Sequence, residues 1–156
     1  MAKTPRADSE HTVHALEGFP AAAVRFVRAL ERNRELIARD HGVSASELGA
    51  LFHIGEVGST TPKELAHHMK MTTGAITAIS SNLVSANLLH RVDHPSDRRS
   101  LYLQLTPHGH DVMARIHREF LDMVAASTTG LTAEQGADFE SYLETVSAQI
   151  EARIAR

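Results

Sequence analysis

The sequence predicts a mainly α-helical protein with one β-hairpin. Apolar residues recur three and four apart over most of its 156 residues, with charges between them. Ser or Thr stands at the head of segment after segment, often with Pro next or with Glu or Gln three residues on. In one place only, Leu101, Leu103 and Leu105 alternate with Tyr102 and Gln104, the period of a half-buried strand.

Each element has its own justification. Phe19 to Arg39 carries Phe19, Ala23, Phe26, Leu30 and Ile37 at helical spacing, and Gly42 is placed to close that helix. Ser44 to Glu47 fits a capping box, opening a helix with Leu48, Leu51, Phe52 and Ile54 that Gly55 and Gly58 are expected to break. Thr61-Pro62-Lys63-Glu64 is a second capping box, with Pro at the first helical position, where its missing N–H costs nothing; the helix runs from about Pro62 to Met69. Lys70-Met71-Thr72 is a tight connection to a helix capped by Thr72, with Ile76, Ile79 and Leu83 as its inner stripe and Asn87 as its left-handed stop.

Leu88, Leu89 and Val92 supply the partner for the alternating strand, and Asp93 to Arg99 form a polar tip with Pro and Ser to turn the chain. Thr106-Pro107 opens a further helix with Val112, Ile116, Phe120 and Met123 on one face, ending at Thr128-Thr129-Gly130. Thr132 caps the last helix, with Gln135 at the capping-box position and Phe139, Leu143, Val146 and Ile150 as its stripe.

Composition narrows the function classes. The length suits a single domain, 1–156, and 42% hydrophobic with 22% charged residues is ordinary for a soluble protein. No apolar run is long enough to cross a bilayer, and the polar first residues lack the apolar stretch of a secretory signal. A cytoplasmic protein with no membrane partner is expected. The absence of cysteine excludes disulfides, thiolate catalysis and zinc ribbons together. The net charge of −3 requires that any nucleic-acid binding come from a local basic patch. No nucleophile elbow and no phosphate-cradling loop occurs, so no enzyme and no cofactor is expected.

The helix from Thr72 to Ala86 has an informative outer face. Thr73, Gly74, Thr77, Ala78 and Ser81 lie opposite the apolar stripe. Small side chains permit close approach to a major groove, and hydroxyls and methyls can meet base edges. Taken alone, the same residues also suit a face that only meets water. The short helix and tight turn before them, and a hairpin after them with Arg98 and Arg99 at its tip, favour double-stranded DNA.

The run from Leu65 to Gly109, LAHHMKMTTGAITAISSNLVSANLLHRVDHPSDRRSLYLQLTPHG, resembles the winged helix-turn-helix of the MarR family of bacterial transcription regulators. Its most specific part is Asp97-Arg98-Arg99 followed by Leu103-Gln104-Leu105-Thr106 and Gly109. The resemblance implies a homodimer in which residues 19–42 and 107–155 interlock while residues 44–106 form the winged helix-turn-helix, acting as a repressor on a palindromic operator with half-sites ~34 Å apart. It implies major-groove contacts from Thr73, Thr77 and Ser81, with Thr72 at the helix head and Gly74 and Ala78 allowing approach. Arg98 and Arg99 would serve the wing, with Asp97 holding a wing arginine or Arg91, while Lys63 and Lys70 flank the phosphates. It also implies release by a small aromatic or phenolic acid near Arg25, Phe26, Phe52, His53 and His117.

Two alternatives stand beside this reading. Eleven histidines, among them His41, His108, His110 and His117, raise a zinc-responsive regulator, although no metal-binding spacing occurs and the expected metal is none. The helix from Thr72 to Ala86 has no Arg or Lys, which keeps a protein-interaction module on a degenerate winged helix in view.

Overall fold

The computed structural model describes residues 15–93 and 101–155. It parts into two compact units between Ala45 and Ser46. The first holds α1 (Gly18–Asp40), and the second holds α2 (Ala45–Val57), α3 (Pro62–Met69), α4 (Thr73–Ser85), β1 (Leu89–Asp93), β2 (Leu101–Leu105), α5 (Pro107–Ser127) and α6 (Ala133–Ile154). Helices with one antiparallel hairpin are the predicted fold class.

In the first unit, α1 ends where expected. The Val43 amide reaches back to the Ala38 carbonyl at 2.9 Å across Gly42, whose φ of +70° suits a residue without Cβ. Of its apolar stripe only Ile37 is buried, and Phe19 stays 70% exposed.

The second unit is organised by a core of Leu48, Leu51 and Ile54 from α2, Leu65 from α3, Ile76 and Leu83 from α4, Leu89 from β1, Leu103 from β2 and Ile116 from α5. Each fully buried aliphatic side chain contributes about 1.5–3 kcal/mol. Leu89 pairs with Leu105 at one end of the hairpin and Asp93 with Leu101 at the other. Burial along β2 follows the alternation at Leu103 and Leu105 and fails at Leu101, which lies at the far end of the hairpin.

Three features depart from the sequence reading. Gly55 does not break α2, which continues to Val57: Ile54 beside it is fully buried in the core, and that burial outweighs the weak helix propensity of glycine. Gly58, with φ of +78°, ends it. Thr60, to which the sequence reading assigns no element, exchanges both backbone hydrogen bonds with Leu103 (3.2 and 2.8 Å) and so extends the hairpin by one bridge. The α5 stripe splits: Val112 and Ile116 are buried, Met123 is half-buried and Phe120 is 40% exposed.

The junction of hairpin and α5 is close-packed. Thr106 Oγ1 accepts from the Gly109 amide (2.9 Å) and donates to the Asn87 carbonyl (2.6 Å), while the Thr106 amide donates to the Leu88 carbonyl (3.1 Å). A Cβ at Gly109 would run into that same Leu88 carbonyl oxygen. The Leu-Thr…Gly signature is therefore a packing requirement, because only glycine lets the first turn of α5 lie on the start of β1.

Candidate nucleic-acid interface

Local capping sets the helix-turn-helix. Thr61 Oγ1 accepts from the Glu64 amide (3.2 Å) while Glu64 Oε2 accepts from the Thr61 amide (2.8 Å), so α3 begins with a complete capping box. Lys70, with φ of +53°, turns the chain out of α3, and Thr72 Oγ1 accepts from the Ala75 amide (3.2 Å) to begin α4. A non-glycine residue in the left-handed region is uncommon, and here it makes the tight turn that sets α4 across α3.

The face of α4 is arranged as its sequence suggests. Ile76, Ile79 and Leu83 are buried; Thr73, Gly74, Thr77 and Ala78 are exposed and Ser81 is half-buried. Thr77 Oγ1 donates to the Thr73 carbonyl (2.9 Å), which commits its proton to the helix. Its oxygen is left to accept and its methyl to make apolar contact. Ser80 is buried as well, which the sequence reading missed; its hydroxyl donates to the Ile76 carbonyl at 2.7 Å and so satisfies itself within the helix.

Two long-range contacts hold α4 from outside. Asn82 Nδ2 donates to Glu47 Oε1 on α2 at 3.0 Å. Arg91, on β1, extends its guanidinium to Ser81 Oγ at 3.3 Å. The helix lacks a basic residue of its own, and this contact brings one to its edge from the neighbouring strand. Lys63 and Lys70 are exposed at the two ends of α3. Asp97, Arg98 and Arg99 lie outside the described residues.

The effector residues named from the sequence are divided between the two units. Arg25 and Phe26 lie on α1, exposed, in the first unit. In the second, Phe52 meets His117 of α5 with ring centroids 5.4 Å apart. His53, the next residue, faces away from that pair and stacks on His68 of α3 at 3.7 Å. Adjacent helical residues point about 100° apart, so one sequence dipeptide serves two neighbours. Among the described residues, no three His, Asp or Glu side chains come together in a way that could hold a metal ion. Nor is any described helix long and apolar enough to cross a membrane.

Comparison with known proteins agrees with this architecture. Residues 43–101 match the model of the MarR family. The multiple antibiotic resistance protein MarR of Salmonella typhimurium is 29% identical over 105 residues, covering 67% of this chain and 73% of that protein. The crystal structure of wild-type MarR from E. coli in its apo form superposes with a TM-score of 0.72 over 85% of this chain and 98% of that one; at 22% identity, this shows the fold. A mutant MarR from E. coli complexed with operator DNA superposes with a TM-score of 0.59 at 24% identity, over 80% of this chain and 93% of that one. The matched segment spans α2, α3, α4 and β1, the elements whose caps, core and outer face are described above. Residues 43–101 thus carry a segment that matches the MarR family, and the chain is similar in fold, over 85% of its length, to MarR winged-helix regulators.

Proposed function

We propose that this chain is a homodimeric repressor that binds a palindromic operator and leaves it when a small aromatic acid binds. The observation that carries the DNA reading is the outer face of α4: exposed small and hydroxyl residues, with the Arg91 guanidinium held against Ser81 at its edge. Thr73, Thr77 and Ala78 present methyls and acceptor oxygens to base edges, and Gly74 lets the backbone approach. Arg91, Lys63 and Lys70 neutralise phosphates, and Arg98 and Arg99 reach the backbone or the minor groove from the wing.

The dimer reading rests on apolar surface that the chain leaves uncovered. No residue of α6 is buried, and Phe139, Tyr142, Leu143, Val146, Ile150 and Ile154 are all exposed along it. A cleft of about 500 Å³ opens between the end of α5 and the start of α6, lined by Val124, Leu131, Phe139 and Leu143. Contiguous apolar surface of this kind marks an interface, and two-fold pairing makes each subunit cover its partner. For the effector, Phe52 and His117 offer an apolar wall and an imidazole suited to an aromatic carboxylate.

Titration of the purified protein with duplex DNA from the region upstream of its own gene tests the DNA reading. Arg91→Ala is expected to weaken binding about tenfold or more, the scale of a lost charged hydrogen bond, and to lower the salt slope by about one. Thr77→Glu, which sets a carboxylate against the groove, is expected to abolish binding. Equal affinity for all three proteins would refute the assignment of α4 as the groove-facing helix.

A further inference from the structure

Two histidines stack between α2 and α3, outside the outer face of α4. His53 on α2 and His68 on α3 lie with ring centroids 3.7 Å apart and planes 21° from parallel. The Nδ1 of His53 is buried with no hydrogen-bond partner among the described residues, while His68 is open to solvent. Two neutral imidazoles stack favourably, and one proton leaves a cation against a neutral ring. A second proton sets like charges face to face, with one of them at a buried nitrogen that has no acceptor.

We propose that the His53–His68 stack is an acid-sensitive clasp that fastens α3 to α2 when neutral and loosens when both rings are protonated. The charged groups acting on His53 are His68 and Glu64 from α3 and Glu56 from α2. Burial, the largest influence, and the charge of His68 hold His53 below the usual histidine range, against the opposing pull of Glu56 and Glu64. Glu64 is already engaged in the α3 capping box, where its Oε2 accepts from Thr61. The unfolded chain takes up its proton on His53 before the folded one does, so the stack's contribution is whole above pH ~6.5 and declines as pH falls toward the folded-state value.

The regulatory consequence rests on the DNA reading above. The turn between α3 and α4 sets the aim of α4, so loosening α3 degrades the groove-facing surface.

His53→Phe and His68→Phe each keep an aromatic ring in the stack and remove one titrating group; the second lies on the exposed partner, where folding is not at stake. Hydrogen-exchange protection of the α3 amides is compared among the three proteins at about pH 7.5 and about pH 5.5. Wild type should lose about fivefold more protection on acidification than either variant. Parallel losses in all three would overturn the clasp. In the same buffers, the ratio of operator Kd between wild type and His53→Phe should rise from near one to about fivefold. A constant ratio with the expected exchange result would overturn the link to DNA. If none of the three proteins binds duplex DNA at either pH, the functional reading fails and the exchange data alone decide the clasp.

Discussion

Replacing Gly109 by alanine tests the packing that joins the hairpin to α5. The added methyl meets the backbone carbonyl of Leu88, not a side-chain end that could swing away, and it also lies 3.1 Å from the Leu88 carbonyl carbon and 3.2 Å from Leu105 Cδ2. Relief requires the first turn of α5 to withdraw from β1. That movement strains the bonds from the Thr106 amide to Leu88 (3.1 Å) and from Thr106 Oγ1 to Asn87 (2.6 Å). Overpacking costs about 1–3 kcal/mol and disturbance of the Thr106 cap about 1 kcal/mol more. The sum, roughly 2–4 kcal/mol, predicts a fall in Tm of roughly 4–16 °C by thermal unfolding followed by circular dichroism. Gly74→Ala is the control: nothing lies within 4 Å of its added methyl, and stability should hold or rise by up to about 1 kcal/mol. A Gly109→Ala protein within about 0.5 kcal/mol of wild type, the spread of ordinary surface changes, would refute the close-approach argument.

Other outcomes follow from the same structure. Thr61→Ala removes half of the α3 capping box and should cost about 1 kcal/mol, read as a drop in Tm of about 2–4 °C; an unchanged Tm would mean that the cap carries no stability. Leu143→Glu puts a charge on the exposed stripe of α6 and should weaken self-association about 30-fold or more, the scale of an interface hot spot, as seen by sedimentation at low micromolar concentration. A wild-type protein that sediments as a monomer at every concentration would end the dimer reading. Gly74→Ala, neutral for stability, should weaken duplex binding by holding the α4 backbone off the groove floor, and full affinity would move the contact elsewhere on the helix.

The elements legible in the sequence are those decided within a few residues. Thr61, Thr72, Thr106 and Thr132 each accept a hydrogen bond from a backbone amide in the first turn of the helix they head, so a cap can be read from four or five letters. The stripe of Ile76, Ile79 and Leu83 and the exposed face opposite it follow from helical periodicity in the same local way. Where two influences compete locally, the reading fails. Gly55 has weak helix propensity, yet it lies inside α2 because neighbouring Ile54 is anchored in the core.

The fold class, the resemblance to the MarR family and the exposed small-residue face of α4 were thus within reach of the sequence, since periodicity and caps act at short range. Tertiary structure decided the pairings between distant residues: Thr60 with Leu103, Asn82 with Glu47, Arg91 with Ser81, and His53 with His68. It also supplied the reason for Gly109, whose neighbour Leu88 is 21 residues away. Such contacts depend on where whole elements come to rest against a shared core, and no local rule of spacing encodes that placement.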